Sequence, residues 1–110
     1  ASKHKLSNLT VMVDYNKLQS YGKTSEVLDL EPLVDKWKSF GFITHEVDGH
    51  DIVSLEEILK KLPFSDGAPS AIICHTIKGK GFPFAEGNPE WHHKSGMTEA
   101  DIQQMYDCLV

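Results

Sequence analysis

Three short apolar and β-branched runs, Leu9 to Tyr15, Phe42 to Val47 and Ser70 to Thr76, alternate along this chain with single helical patterns. Strands separated by one helix cannot pair as hairpins, so this order predicts parallel strands joined by crossovers, with helices over the sheet. The expected class is α/β, in the order β-α-β-α-β. The first and third runs are too uniformly apolar for half-exposed strands and read as buried ones.

The helices between them carry their own boundary signals. Leu30, Leu33, Val34 and Trp37 recur at helical spacing, which predicts a helix over 31–40, with Pro32 in its first turn and Gly41 as a left-handed cap. Ser54 and Glu57 have capping-box spacing, and Val53 with Ile58 has that of a hydrophobic staple, so a second helix is expected to start at Ser54. Thr98 marks a third start, with Met97 and Ile102 as a staple and Met105 and Leu109 continuing the apolar face.

Between these elements lie segments without periodicity, Asn16 to Val27 and residues 77 to 97, the second carrying Gly79, Gly81, Gly87, Gly96, Pro83 and Pro89. Unstructured loops of that length are uncommon in compact domains unless they are functional. Open α/β sheets bind ligands at the carboxyl ends of their strands, so function is expected in Asn16 to Val27, Asp48 to Asp51 and residues 77 to 96.

Composition narrows the chemistry. The chain carries 16 acidic and 11 basic residues, all 11 of them lysine, for a net charge of −5. Without arginine it lacks the forked donor that reads guanine, and its balance is acidic, so no nucleic-acid partner is expected. An anion would have to be held by lysine, histidine and backbone N–H groups. No apolar run reaches the roughly 18 residues that a membrane helix needs, so no membrane partner is expected either. Hydrophobic residues make up 40% of the 110, which suits one domain over residues 1–110. Cys74 and Cys108 stand in no metal-ligand spacing and read as reduced thiols of an intracellular, cytoplasmic protein, with Cys74 as a small buried hydrophobe.

Four local groups can carry chemistry, and each has a structural reading beside it. Asn16 is either a turn residue or an oxygen ligand for a hard cation such as Mg²⁺. Lys78-Gly79-Lys80-Gly81 is either a solvated basic turn or a loop whose backbone N–H groups approach a phosphate. Trp91-His92-His93-Lys94 combines an aromatic, two imidazoles and an ammonium, able to bind an anion or move protons near neutral pH. Asp48-Gly49-His50-Asp51 is an acid–base cluster or, in the favoured reading, a turn leading into a helix. His45 and His75, inside strands, are expected to be structural, and no set of four ligands suggests zinc.

Taken in order, Asn-Leu-Thr-Val-Met-Val-Asp-Tyr-Asn-Lys-Leu-Gln, Glu-Val-Asp-Gly-His-Asp, His-Thr-Ile-Lys-Gly-Lys-Gly and Trp-His-His-Lys resemble the transketolase family over nearly the whole chain. The resemblance is to the later half of the N-terminal, diphosphate-binding module, especially of forms split into two subunits. It implies a partial doubly wound thiamine-diphosphate-binding fold. It also implies thiamine diphosphate with Mg²⁺ or Ca²⁺ as cofactors, and transfer of a two-carbon ketol unit between sugar phosphates. By resemblance, Asn16 and the Leu18 carbonyl are metal ligands, Lys78, His92 and Lys94 are cofactor-binding, and His92 is also catalytic. His93 stands where the family has glycine. The family's Gly-Asp-Gly is expected before residue 1, so these residues alone are expected to be inactive and to bind cofactor weakly. Expected partners are the rest of the N-terminal module, a pyrimidine-binding subunit or domain, and sugar phosphates, in an oligomer. The alternatives are a 1-deoxyxylulose-phosphate synthase-like ketol transferase and a non-catalytic α/β interaction domain with a degenerate site.

Overall fold

The computed structural model describes residues 1–109. Along the chain run β1 (Thr10–Tyr15), β2 (Leu18–Gln19), β3 (Gly22–Lys23), α1 (Thr24–Val27), α2 (Leu33–Ser39), β4 (Ile43–Asp48), α3 (Ile52–Leu59), β5 (Ser70–His75) and α4 (Glu99–Asp107). Short 3₁₀ turns cover Ser2–His4 and Pro89–Trp91. The residues fall into two compact units, one of Ala1–Tyr15 with Leu30–Thr76, the other of Asn16–Asp29 with the chain from Ile77 on.

The first unit is the expected parallel α/β sheet, in the order β1-β5-β4. The last strand in sequence inserts between the first two. Its residues explain the placement: Ala71, Ile72, Ile73 and Cys74 are all buried, and a strand apolar on both faces is stable only where both faces are covered. On the side that faces α3, Ile72 and Cys74 pack with Ile58, joined by Val47, Leu55, Leu62 and Phe64.

β1 departs from expectation. Val11, Val13 and Tyr15 are partly or fully buried, but Met12 is 51% exposed and Asp14 is exposed, so the strand is half-buried. Among the described residues it pairs with β5 alone, and an edge strand covered on one face shows the period-2 burial that its apolar composition hides.

Local chemistry sets the helix ends. α2 starts two residues later than expected because Pro32, without an N–H, precedes it as the cap. It ends as expected: Gly41, at φ +82°, donates to the Lys38 carbonyl and Phe42 donates to that of Trp37, the paired bonds of a Schellman motif. α3 corrects the sequence reading. Its cap is Asp51, whose carboxylate accepts from the Val53 and Ser54 N–H groups and from the Ser54 hydroxyl at 2.6 Å. A carboxylate accepts these bonds more strongly than a serine hydroxyl, so the helix starts at Ile52. Val53 then lies in the first turn, 64% exposed, and does not act as a staple residue.

In the second unit, the segment expected to be a loop holds the β2–β3 hairpin and the single turn of α1. Pairs of two residues are too short to leave a periodic signal. Residues 77 to 97 contain only the Pro89–Trp91 turn, capped by the Asn88 side chain. α4 begins at Thr98 as expected, though Met97 and Ile102 are 51% and 42% exposed. No helix among the described residues is long and apolar enough to cross a membrane.

Candidate functional site

Asn16, Leu18, Lys78, His92 and Lys94 all belong to the second unit, so one compact body carries all five. Asn16 directly follows β1, and its Oδ1 accepts the Leu18 N–H at 2.9 Å, a turn that closes on its own backbone. An amide oxygen has two lone pairs, so this bond leaves Asn16 one acceptor site. The turn is reinforced by the Lys17 carbonyl, which accepts the Thr24 N–H at 2.9 Å and its hydroxyl at 3.3 Å. Both readings of Asn16 are thus compatible in one side chain: turn former through one lone pair, oxygen donor through the other.

Lys78 is half-buried, and its side chain makes no ion pair among the described residues. The glycines beside it do something other than expected. Gly79, at φ +76°, brings its α-carbon against Ala85, and Gly81, at φ +96°, donates its N–H to Glu86 Oε1 at 3.1 Å. Lys80 Nζ lies 3.5 Å from the same oxygen. The loop therefore supplies its own anion at Gly81, and the backbone donor expected to meet a phosphate there is occupied by Glu86. A glutamate five residues away gives no sequence signal, because the contact depends on loop closure.

Residues 91–94 send successive side chains in different directions. His92 follows the 3₁₀ turn, its N–H donating to the Pro89 carbonyl at 3.0 Å and its ring meeting that of His93 edge-on at 4.6 Å. Its Nδ1 is buried and without a hydrogen-bond partner among the described residues. His93 Nε2 lies 3.0 Å from Ser20 Oγ, which ties the loop to the connection between β2 and β3. Lys94 lies over the Trp91 ring, 3.8 Å from its centroid, and pairs with Asp101 Oδ1 at 3.2 Å.

Gln19, beside Ser20, has a buried Nε2 that is likewise unpartnered. Buried polar groups left unpaired cost free energy, so the Gln19 amide and the His92 imidazole, both in this unit, are each an atom that a ligand group could satisfy. Sequence reasoning missed Gln19, Ser20, Glu86 and Asp101. Only Asp101 has a usable signal, since it stands three residues after Thr98, at the reciprocal position of a capping box.

Asp101 is held in its charged form: the Thr98 backbone N–H, then the Thr98 hydroxyl and the Lys94 ammonium, lower its pKa. Asp51, in the other unit, is lowered mainly by the Ser54 hydroxyl, with the Ser54 and Val53 N–H groups adding to it.

The remaining sequence candidates have structural roles within the first unit. Asp48 accepts the His50 N–H, and Asp51 caps α3, so the Asp48–Asp51 segment is a turn into a helix, as favoured. His75 Nε2 lies 2.8 Å from Glu46, and the His45 ring packs on Phe64 at 4.4 Å. Cys74 is buried, as expected, and burial, with the nearby Asp14 charge second, pushes its thiol pKa up. No group of three or more His, Cys, Asp or Glu among the described residues can hold a metal ion.

Comparison with known proteins supplies a frame for this geometry. Residues 1–109 match the family model described as transketolase, thiamine diphosphate binding domain. The chain is 45% identical over 94 residues to an apulose-4-phosphate transketolase subunit of Actinobacillus succinogenes, covering 86% of this chain and 34% of that protein. It is 40% identical over 93 residues to a 6-deoxy-6-sulfo-D-fructose transketolase subunit of a Clostridium species, covering 84% and 34%. Among solved structures, transketolase from Campylobacter jejuni superposes with a TM-score of 0.84 at 25% identity, over 97% of this chain and 16% of that one. The chain spans about a third of the length of the curated subunits it matches.

Proposed function

The chain belongs to the transketolase family, as part of its thiamine diphosphate-binding domain, and from that premise we propose that it forms the diphosphate- and metal-binding part of a two-subunit transketolase. The observation that carries the reading is the buried Nδ1 of His92, without a hydrogen-bond partner among the described residues, in the same compact unit as Asn16, Leu18, Lys78 and Lys94.

The residues present fit the cofactor. The open lone pair of Asn16 Oδ1 and the Leu18 carbonyl are hard, neutral oxygen donors, the type that Mg²⁺ or Ca²⁺ takes together with diphosphate oxygens. Lys78, with no ion pair among the described residues, supplies positive charge for a diphosphate, and Lys94 adds charge beside His92. When bound, thiamine diphosphate supplies the stabilisation of a carbanion that two-carbon ketol transfer needs. The His92 imidazole, whose Nδ1 has no hydrogen-bond partner among the described residues, is proposed as the group that holds or moves a proton at a substrate oxygen, the role expected of a general acid–base histidine.

The two curated relatives above are named for different sugars, apulose-4-phosphate and 6-deoxy-6-sulfo-D-fructose. Sugar choice is proposed to be set largely outside these residues, by the rest of the module and a pyrimidine-binding partner. The assembly is proposed to be an oligomer working in the cytoplasm on sugar phosphates.

Calorimetric titration of the assembled protein with thiamine diphosphate and Mg²⁺ tests the reading. Asn16→Ala and Lys78→Ala are each expected to weaken cofactor binding by about tenfold or more, the loss of one hydrogen bond or charge contact to a charged ligand. Unchanged affinity in both variants would overturn it.

A further inference from the structure

Residues 91–94 are held by the Trp91 and His92 N–H groups donating to the Asn88 and Pro89 carbonyls, by packing of the Trp91 ring on Phe84, and by two polar side-chain contacts that differ in strength. The Ser20–His93 hydrogen bond joins two exposed side chains and contributes little, since water competes for both partners. The Asp101–Lys94 contact is different. It is charge-assisted and mostly shielded, with the two side chains 20% and 29% exposed, and the ammonium also lies 3.8 Å from the Trp91 centroid.

Asp101 is itself fixed. Oδ2 accepts both the Thr98 N–H at 2.8 Å and the Thr98 hydroxyl at 2.9 Å, while the Asp101 N–H donates to the same hydroxyl oxygen at 3.1 Å. This capping box engages Oδ2 and leaves Oδ1 directed at Lys94. One carboxylate thus joins the first turn of α4 to Lys94, and Lys94 to Trp91, on either side of His92 and His93.

We propose that Asp101 is a positioning residue: its carboxylate holds the Lys94 ammonium over Trp91 and thereby fixes the backbone that carries His92. Its value for ligand binding rests on the reading of residues 91–94 given above. Asp101 contacts no ligand in this scheme and acts only through Lys94.

The test uses the assembled protein without ligand and follows the Trp91 indole N–H and the His92 ring signals by nuclear magnetic resonance with selective labelling of tryptophan and histidine. Asp101→Asn keeps an acceptor for Thr98 but loses the charge, and it is expected to shift both signals, with Asp101→Glu restoring them. Thr98→Ala removes the cap hydroxyl and leaves the ion pair, so it is expected to move them much less. Shifts in Asp101→Asn no larger than those in Thr98→Ala would overturn the proposal and leave Asp101 as a helix cap alone. Titration with Mg²⁺ and inorganic pyrophosphate separates this result from the functional reading. With binding present, Asp101→Asn should weaken it by about tenfold, as loss of a partner behind a ligand-holding group commonly does. If the signals shift as expected but the parent assembly gives no pyrophosphate response, the positioning role stands and the diphosphate reading falls.

Discussion

Gly79 meets Ala85 so closely that a Cβ on it would lie 2.6 Å from the Ala85 carbonyl oxygen and 2.8 Å from the carbonyl carbon. Both atoms are backbone, so neither can swing away, and Gly79 also has φ +76°, where an L side chain costs about 1–2 kcal/mol. The tight turn beyond Lys78 therefore depends on a missing side chain.

Gly79→Ala is expected to destabilise the chain by about 2 kcal/mol or more, since the clash adds to the left-handed strain. Urea unfolding measures the loss, and hydrogen exchange should locate it in residues 77 to 91. Gly81→Ala is a milder companion, because Gly81 has positive φ but open space around its α-carbon. Equal midpoints for the parent and Gly79→Ala would show that the contact with Ala85 is not rigid.

Asp51 links α3 to pH. Its folded pKa is depressed by the Ser54 hydroxyl and by the Ser54 and Val53 N–H groups. A group with a lowered folded pKa contributes stability above its unfolded value, about 3.9, and loses it as pH falls through the folded value. Thermal melts from neutral pH downward should therefore show the advantage of the parent over Asp51→Ala shrinking below about pH 4. Near pH 7 that variant should melt a few degrees lower, the usual effect of a lost N-cap in a small domain. A gap that persists at pH 2 would mean that the carboxylate charge has no part in the cap.

Cys74 and Cys108 should separate in thiol chemistry. Cys74 is buried, and desolvation, with the Asp14 charge adding to it, raises its pKa, so little thiolate exists at pH 8. Cys108 is partly exposed. Brief alkylation of the folded chain should add one label, at Cys108, and labelling in urea should add two, read by mass spectrometry. Rapid labelling of Cys74 in the folded chain would show that β5 opens more readily than a central strand should.

Much of this fold is legible in local sequence because local physics decides it. The left-handed cap at Gly41 and the start of α4 at Thr98 depend on bonds that span three to five residues, and both stand where the sequence places them. The start of α3 is misread from sequence because two neighbouring caps compete. Asp51 and Ser54 both have capping chemistry, and the charged acceptor takes the N–H groups while Ser54 donates to it. The β2–β3 hairpin escapes notice because two-residue strands carry no period.

The five candidate site residues are distinguished by kind and by family likeness, and the structure places them in one unit. Their partners are not legible. That Lys94 faces Asp101 and Trp91, that His93 meets Ser20, and that Glu86 fills the Gly81 donor are outcomes of loop closure. No spacing rule encodes such contacts, because an irregular loop has no fixed rise per residue.

The sequence by itself determined the α/β class, the parallel strands and the chemical character of the site, since periodicity, capping and residue type are properties of short segments. Only the tertiary structure decided that β5 lies between β1 and β4, that β1 leaves Met12 and Asp14 exposed, and that His92 Nδ1 is buried without a hydrogen-bond partner among the described residues. Each of these depends on which distant segments exclude water from one another, and that is settled when the chain packs.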